Sequence, residues 1–239
     1  MLKFFNLNQK NSLKKLESIL NVRKSRQQSQ SAIVKKILYN VKKNGDKAVI
    51  MYEKKFSNTK NKSKKLQFSK NEINSISKTI DKKLKKSIDT AFTRIKYFHS
   101  KQTYSAFKYR DKYKNELAYK FLPIERVGVY VPGGTASYPS TVLMNCIPAL
   151  VAGVKNIYLT TPAFGTAVNP AVIYAAKKCG VKEIYKTGGA HSIAALAYGT
   201  KTFKKVDKIV GPGNAFVASA KKEVFGEVGI DMVAGPSEV

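Results

Sequence analysis

The sequence predicts an α/β protein, with a helical N-terminal layer followed by a mainly parallel sheet built of βα units. Three observations predict it. All eight prolines and fourteen of the fifteen glycines lie beyond residue 121, so the composition changes abruptly there. From residue 126 onward one unit recurs: a short apolar run, a Gly/Pro loop and a helix-like stretch. The loops Pro132-Gly133-Gly134, Thr160-Thr161-Pro162, Thr187-Gly188-Gly189, Gly211-Pro212-Gly213 and Gly235-Pro236-Ser237 start 24 to 28 residues apart. That spacing holds a strand of roughly 4–8 residues and a crossover helix. Before the break, with Gly45 as the one glycine, apolar residues recur at helical spacing.

The chain accordingly divides into a Lys-rich, mainly helical segment (1–120) and a Rossmann-like α/β region (121–239) that is incomplete at its C-terminal end. In the first segment Leu13, Leu16, Ile19 and Leu20 form one apolar stripe, and Ile33, Ile37, Leu38 and Val41 a second. Asn44-Gly45-Asp46 reads as a helix stop and a new N-cap, before a short helix through Ala48, Val49, Tyr52 and Phe56. Residues 57–67 are polar and read as loop, with a short strand at Leu66-Gln67-Phe68. Ser69 and Glu72 have the spacing of a capping box. The longest helical pattern spans 81–101, and 104–122 alternate irregularly, like a hairpin feeding the sheet. In the second segment strands are expected at 127–131, 156–160, 183–187, 206–210 and 230–233. Helices are expected at 140–152, 170–179, 192–198 and 214–225, with Pro170 as a start signal and Gly180 as a stop.

Composition excludes several classes. No apolar run approaches the roughly 18 residues that cross a bilayer, and the first residues lack the pattern of a secretory signal. Cys146 and Cys179 make no disulfide framework, so a reducing cytoplasm is the expected location, with both read as small buried hydrophobes. The net charge of +29 invites a nucleic-acid reading. Residues 1–120 hold 32 Lys/Arg against 8 Asp/Glu, whereas 121–239 hold 12 against 7. The excess falls as lysine doublets on polar helix faces, and arginine, the residue of base reading and bidentate phosphate grip, is scarce. No specific nucleic-acid partner is expected.

Ligands of open parallel sheets sit outside the carboxyl ends of the strands, where the glycine loops lie. Tyr130 ends the first strand before Pro132-Gly133-Gly134; it is either a ligand contact or a packed core tyrosine. His191 follows Gly188-Gly189-Ala190 at a helix start, as a ligand contact or a surface histidine. Asn214 follows Gly211-Pro212-Gly213, as an N-cap or a cofactor donor. Together the loops indicate a nucleotide or small-molecule site, without a full G-x-G-x-x-G or phosphate-loop fingerprint. Two histidines and two cysteines, distant in sequence, allow no Cys/His zinc cluster, and no Ser/His/Asp set can be drawn.

Taken as a set, several blocks closely resemble histidinol dehydrogenase. They are 127–134 (VGVYVPGG), 140–144, 188–190, 193–197, 206–217 (with Gly-Pro-Gly-Asn) and 230–239 (with Ala-Gly-Pro-Ser-Glu). The resemblance covers nearly all of 30–239. It implies a zinc- and NAD-dependent homodimer that oxidises L-histidinol through the aldehyde to L-histidine, reducing two NAD. It further implies that Tyr130 and Asn214 contact NAD, that Ser237 contacts the substrate, and that position 191 is a third NAD contact. The family usually has glutamine at that place, and this chain has His191; an imidazole still offers one donor or acceptor. The family is close to twice this length, with its zinc ligands and catalytic Glu-His pair expected beyond residue 239. On that reading this chain holds no catalytic and no metal residue and is an inactive N-terminal portion; the alternative is a degenerate, non-catalytic nucleotide-binding protein. The charge distribution generates its own prediction. At physiological salt, titration with duplex DNA is expected to give micromolar or weaker affinity with no sequence preference, falling steeply as salt rises.

Overall fold

The computed structural model describes residues 11–56, 65–133, 138–163 and 168–233. The first segment gives α1 (Ser12–Asn44), α2 (Asp46–Phe56), α3 (Lys70–Lys78) and α4 (Lys82–Ser100), then β1 (Phe107–Arg110) and β2 (Glu116–Tyr119). The second gives β3 (Arg126–Tyr130), α5 (Pro139–Val151), β4 (Asn156–Thr160), α6 (Pro170–Lys178) and β5 (Glu183–Tyr185). It continues with α7 (Gly189–Tyr198), β6 (Lys208–Val210), α8 (Ala215–Val224) and β7 (Gly229–Ile230).

The five later strands form one parallel sheet in the order β5-β4-β3-β6-β7. Its strands alternate between two cores. Val127, Val129, Val131, Ile157, Leu159 and Ile184 face α5 and α6, whereas Tyr130, Tyr158, Tyr185 and Ile209 face α7 and α8. Gly128 lets α7 approach, since a Cβ there would stand 3.0 Å from Leu196 Cδ1. The N-terminal helices then supply an outer layer to each face. Val34, Ile37, Leu38 and Val41 of α1 join Ala48 and Val49 of α2 in the core of α7 and α8. Ile88 of α4 and Phe68 join the core of α5 and α6.

Ionic contacts finish that second docking. Lys186 meets Glu72 at 2.5 Å, and Lys178 of α6 meets Asp89 of α4 at 2.6 Å, where Tyr174 also donates to Asp89 at 2.7 Å. Bonds from Lys178 and Tyr174 hold the Asp89 carboxyl at about 2. Burial pushes Glu72 up, but bonds from Lys186 and Ser69 outweigh it and hold that carboxyl at about 2.

Several local expectations are corrected. The longest helix is α1, of 33 residues, not the 81–101 pattern. Between its two stripes the sequence has no Gly or Pro to stop it. Of the second stripe Ile37, Leu38 and Val41 are buried as expected, with Val34 in place of Ile33, which is exposed, as is Leu13 of the first. Gly45 ends α1 with φ +53, yet Asp46 does not cap α2; its carboxylate accepts from Thr200 and Thr202 instead. Leu66-Gln67-Phe68 makes a single antiparallel bridge to Tyr185, not a strand. The hairpin β1–β2 pairs only with itself, Phe107 opposite Tyr119 and Tyr109 opposite Leu117, all four exposed. Beside its stem an apolar cleft of about 640 Å³ opens between Phe121, Leu122, Met144, Pro148 and Val210. Cys146 and Cys179, distant in sequence, are both buried, and the neighbouring Cys179 thiol together with burial pushes the Cys146 thiol up. Both remain thiols.

Asp89 and Glu72 predict an acid limb. A carboxyl held below its unfolded value, near 4, adds stability that is complete above that value and is lost as pH falls toward 2. Urea unfolding between pH 7 and pH 2 should therefore show Asp89→Asn and Glu72→Gln each costing about 1 kcal/mol or less at neutral pH. Both differences should shrink toward zero at the acid end.

Candidate functional site

The strand order places a topological switch point between β3 and β6: chain connections leave β3 toward β4 on one side, and β6 leads to β7 on the other. In such sheets the ligand crevice opens at the carboxyl ends of those two strands. Tyr130 ends β3 there, and it is buried. Its two polar ends tie neighbouring loops together.

The hydroxyl accepts from the backbone N–H of Gly189 at 3.2 Å, in the first turn of α7. Burial, reinforced by the Glu53 charge, pushes the Tyr130 phenol up, although the Gly189 bond opposes this; the hydroxyl keeps its proton. The carbonyl oxygen lies against Gly211, where a Cβ would overlap it. Gly211 has φ +114, so glycine is required both by its conformation and by the close approach.

Gly211 is gripped a second way. Its N–H donates to Asp231 Oδ2 at 2.8 Å, and its carbonyl accepts from Lys221 Nζ at 3.0 Å. Lys221 and Asp231 also form an ion pair, and Lys221 is only 4% exposed. The pair and the loop line a cleft of about 190 Å³ together with Asn145 and Met232. Three residues on, Asn214 caps α8, its Oδ1 accepting from Val217 N–H at 3.1 Å. The side chain is exposed, and its Nδ2 amino group remains free to donate elsewhere.

On the other side, the loops after β4 and β5 are pressed together. Thr160 Oγ1 donates to the Thr187 carbonyl at 2.7 Å, and a Cβ on Gly188 would overlap the Pro162 ring. His191 follows in α7. The expectation of a surface histidine fails: His191 is 2% exposed, with Nε2 2.9 Å from Glu53 Oε2. The structure thus gathers Tyr130 and His191 around Gly189, while Asn214 stands on the loop that touches the Tyr130 carbonyl. For Tyr130 and Asn214 the core and cap readings are realised, and neither role prevents a ligand contact. Ser237 lies outside the described residues.

Sequence reasoning passed over Glu53, Lys221 and Asp231. Two of these carried a signal. Glu53 falls four residues after Val49 and three before Phe56, and Lys221 four after Val217 and three before Val224, so both sit on the apolar faces of their helices. A charge at a core position of a stripe needs a partner. Among the described residues, no group of three or more His, Cys, Asp or Glu is placed to hold a metal ion, and no helix is long and apolar enough to cross a membrane.

A family model described as histidinol dehydrogenase matches residues 20–239. A histidinol dehydrogenase of Pelagibacter ubique (strain HTCC1062) is 55% identical over 240 residues, covering 100% of this chain and 55% of its own length. One from Mesorhizobium japonicum is 48% identical over 222 residues, covering 93% and 52% respectively. A crystal structure of histidinol dehydrogenase from Elizabethkingia anophelis superposes with a TM-score of 0.81 at 39% identity, covering 86% of this chain and 48% of that one. The chain spans about half the length of the curated relatives it matches.

The Gly211 clamp generates a prediction. Gly211→Ala should cost roughly 3 kcal/mol, because it adds both a clash and a disfavoured φ. Lys221→Met should cost about 2 kcal/mol by leaving Asp231 without its cation, whereas the same change at exposed Lys222 should cost under about 0.5 kcal/mol. Urea midpoints of the three variants check this.

Proposed function

This chain belongs to the histidinol dehydrogenase family, and from that premise we propose that its described residues hold NAD at the switch point between β3 and β6. The family is one of oxidoreductases that act on histidinol, NAD-dependent and zinc-binding in general. The observation that carries the reading is Tyr130, which joins the loop at α7 to the loop at α8 through its hydroxyl and its carbonyl.

The residues present fit a dinucleotide. Two helices, α7 and α8, begin at the carboxyl end of the parallel sheet and turn their positive dipole ends to it. Gly211 holds a backbone approach that no side chain permits. Asn214 keeps an amide donor at the crevice, and His191 keeps a buried ring nitrogen, Nδ1, without a hydrogen-bond partner. NAD, when bound, supplies the hydride acceptor. Tyr130, His191 and Asn214 would hold it, and Tyr130 does so as a neutral hydroxyl. The proposal assigns Ser237 to the substrate, L-histidinol, and takes the reaction as oxidation through L-histidinal to L-histidine with two NAD. It also includes the homodimer and a reducing cytoplasm. Among the described residues no set of ligands is placed to hold zinc.

The test uses the 239-residue chain itself. It is expected to bind NADH, read by fluorescence, and to form no NADH from histidinol with zinc supplied; turnover would overturn the second half. Asn214→Asp keeps the cap acceptor and removes the amide donor. It should weaken NADH binding about tenfold, near 1.4 kcal/mol, with an unchanged melting temperature. If the wild-type chain binds no NADH, the NAD reading is overturned.

A further inference from the structure

We infer that Glu53 is a positioning residue that makes His191 a pure hydrogen-bond acceptor, so that this corner of the site takes a donor group of its ligand. The inference rests on the NAD reading above for the ligand, and on geometry alone for the pair.

The N-terminal helical segment carries Glu53 into the α/β region. On α2, Glu53 lies on the face of Val49 and Phe56 and is turned to the first turn of α7. Its Oε2 lies 2.9 Å from His191 Nε2 and accepts from the Gly188 N–H at 3.4 Å. A carboxylate only accepts, so Nε2 must carry a proton. In the neutral ring Nδ1 is then a bare lone pair.

That second nitrogen is the unusual part. Nδ1 is buried and has no hydrogen-bond partner among the described residues. A buried polar atom left unpaired costs about 1–3 kcal/mol, which a ligand donor can recover. Tyr52 and Phe56, stacked on one another, both pack against the ring, each 6.0 Å from it between centroids. Its Nδ1 edge borders Gly189: a Cβ there would stand 3.4 Å from Nδ1 and from Cε1. Gly189 has no such carbon, and its own N–H is taken by Tyr130. The orphan acceptor therefore lies against the bare face of a glycine at the start of a ten-residue helix.

A glutamine at this position would present both a donor and an acceptor. His191 held by Glu53 presents only an acceptor, beside a carboxylate. The group recognised here is a hydroxyl or an amide N–H, and a phosphate oxygen is disfavoured both by the lone pair and by the Glu53 charge.

Glu53→Gln tests this closely, because the amide can donate to Nε2 and so move the ring proton to Nδ1. The chain has two histidines, so loss of one set of ¹⁵N ring signals in His191→Gln assigns the other. The wild type should show the Nε2–H form at His191, and Glu53→Gln should shift it toward Nδ1–H. NADH should bind Glu53→Gln at least fivefold more weakly than the wild type. In a His191→Gln background the Glu53→Gln change should matter less than twofold. An Nδ1–H ring in the wild type, unchanged NADH affinity in Glu53→Gln, or an equal loss in both backgrounds would each overturn the inference. NADH binding by neither wild type nor His191→Gln would instead overturn the NAD reading. The ring signatures of wild type and Glu53→Gln then still decide whether Glu53 sets the proton.

Discussion

A backbone contact organises this molecule. The carbonyl oxygen of Tyr130 occupies the place where any side chain at residue 211 would have to go, and Gly211 meets it at φ +114. Through that contact the carboxyl end of β3 is fixed against the loop that leaves β6. The switch point between the two strands is the gap in which a parallel sheet builds its ligand crevice. Both polar groups of Gly211 are held as well, the N–H by Asp231 and the carbonyl by Lys221. Because these two side chains come from β7's end and from α8, the loop cannot shift unless two other elements shift with it. Such a clamp spends two charges on one glycine, which makes sense only if the position of that loop matters more than the desolvation it costs.

The N-terminal segment has a part in the same arrangement. Its helices form no separate layer to one side; α1 and α2 cover α7 and α8, while α3 and α4 cover α5 and α6. The sheet is therefore enclosed on both faces by helices from both halves of the sequence. Among the described residues the lysine doublets 14–15, 35–36, 42–43, 54–55, 82–83 and 85–86 are exposed on the outer faces of these helices. Glu53 is the one acid that α2 turns inward to the α7 turn, where it holds the Gly188 N–H and the His191 ring. The loop that opens α7 and the helical cover are joined by this pair.

Much of the fold was legible because it depends on local chemistry. Glycine and proline mark the loops, and the 24–28-residue spacing leaves room for one strand and one helix. Pro170, Asn214 and the Ser69–Glu72 box act where their residue types say they should. What was not legible depends on contacts between distant residues. Nothing near Asp46 says that its carboxylate will serve Thr200 and Thr202 in preference to its own helix. Nothing within 104–122 says that the hairpin will keep its aromatic rings exposed, since alternation defines two faces without saying which is covered. Of the four positions that resemblance singled out, Tyr130, His191 and Asn214 are legible for a third reason, their glycine contexts, and the structure adds what those contexts do, while Ser237 lies outside the described residues.

Residue 191 shows how far a single substitution can be read. By sequence alone, a histidine at a helix start has two equal explanations, and the second, a surface position, predicts tolerance. Burial removes that explanation. A buried imidazole must satisfy two nitrogens, and this one satisfies Nε2 with Glu53 and leaves Nδ1 unpaired. An apolar side chain at 191, with an apolar residue at 53, would avoid the desolvation cost of both His191 and Glu53. Holding a carboxylate against a ring whose other nitrogen has no hydrogen-bond partner among the described residues is unfavourable for folding alone. A donor group bound at Nδ1, as proposed above, would offset that cost.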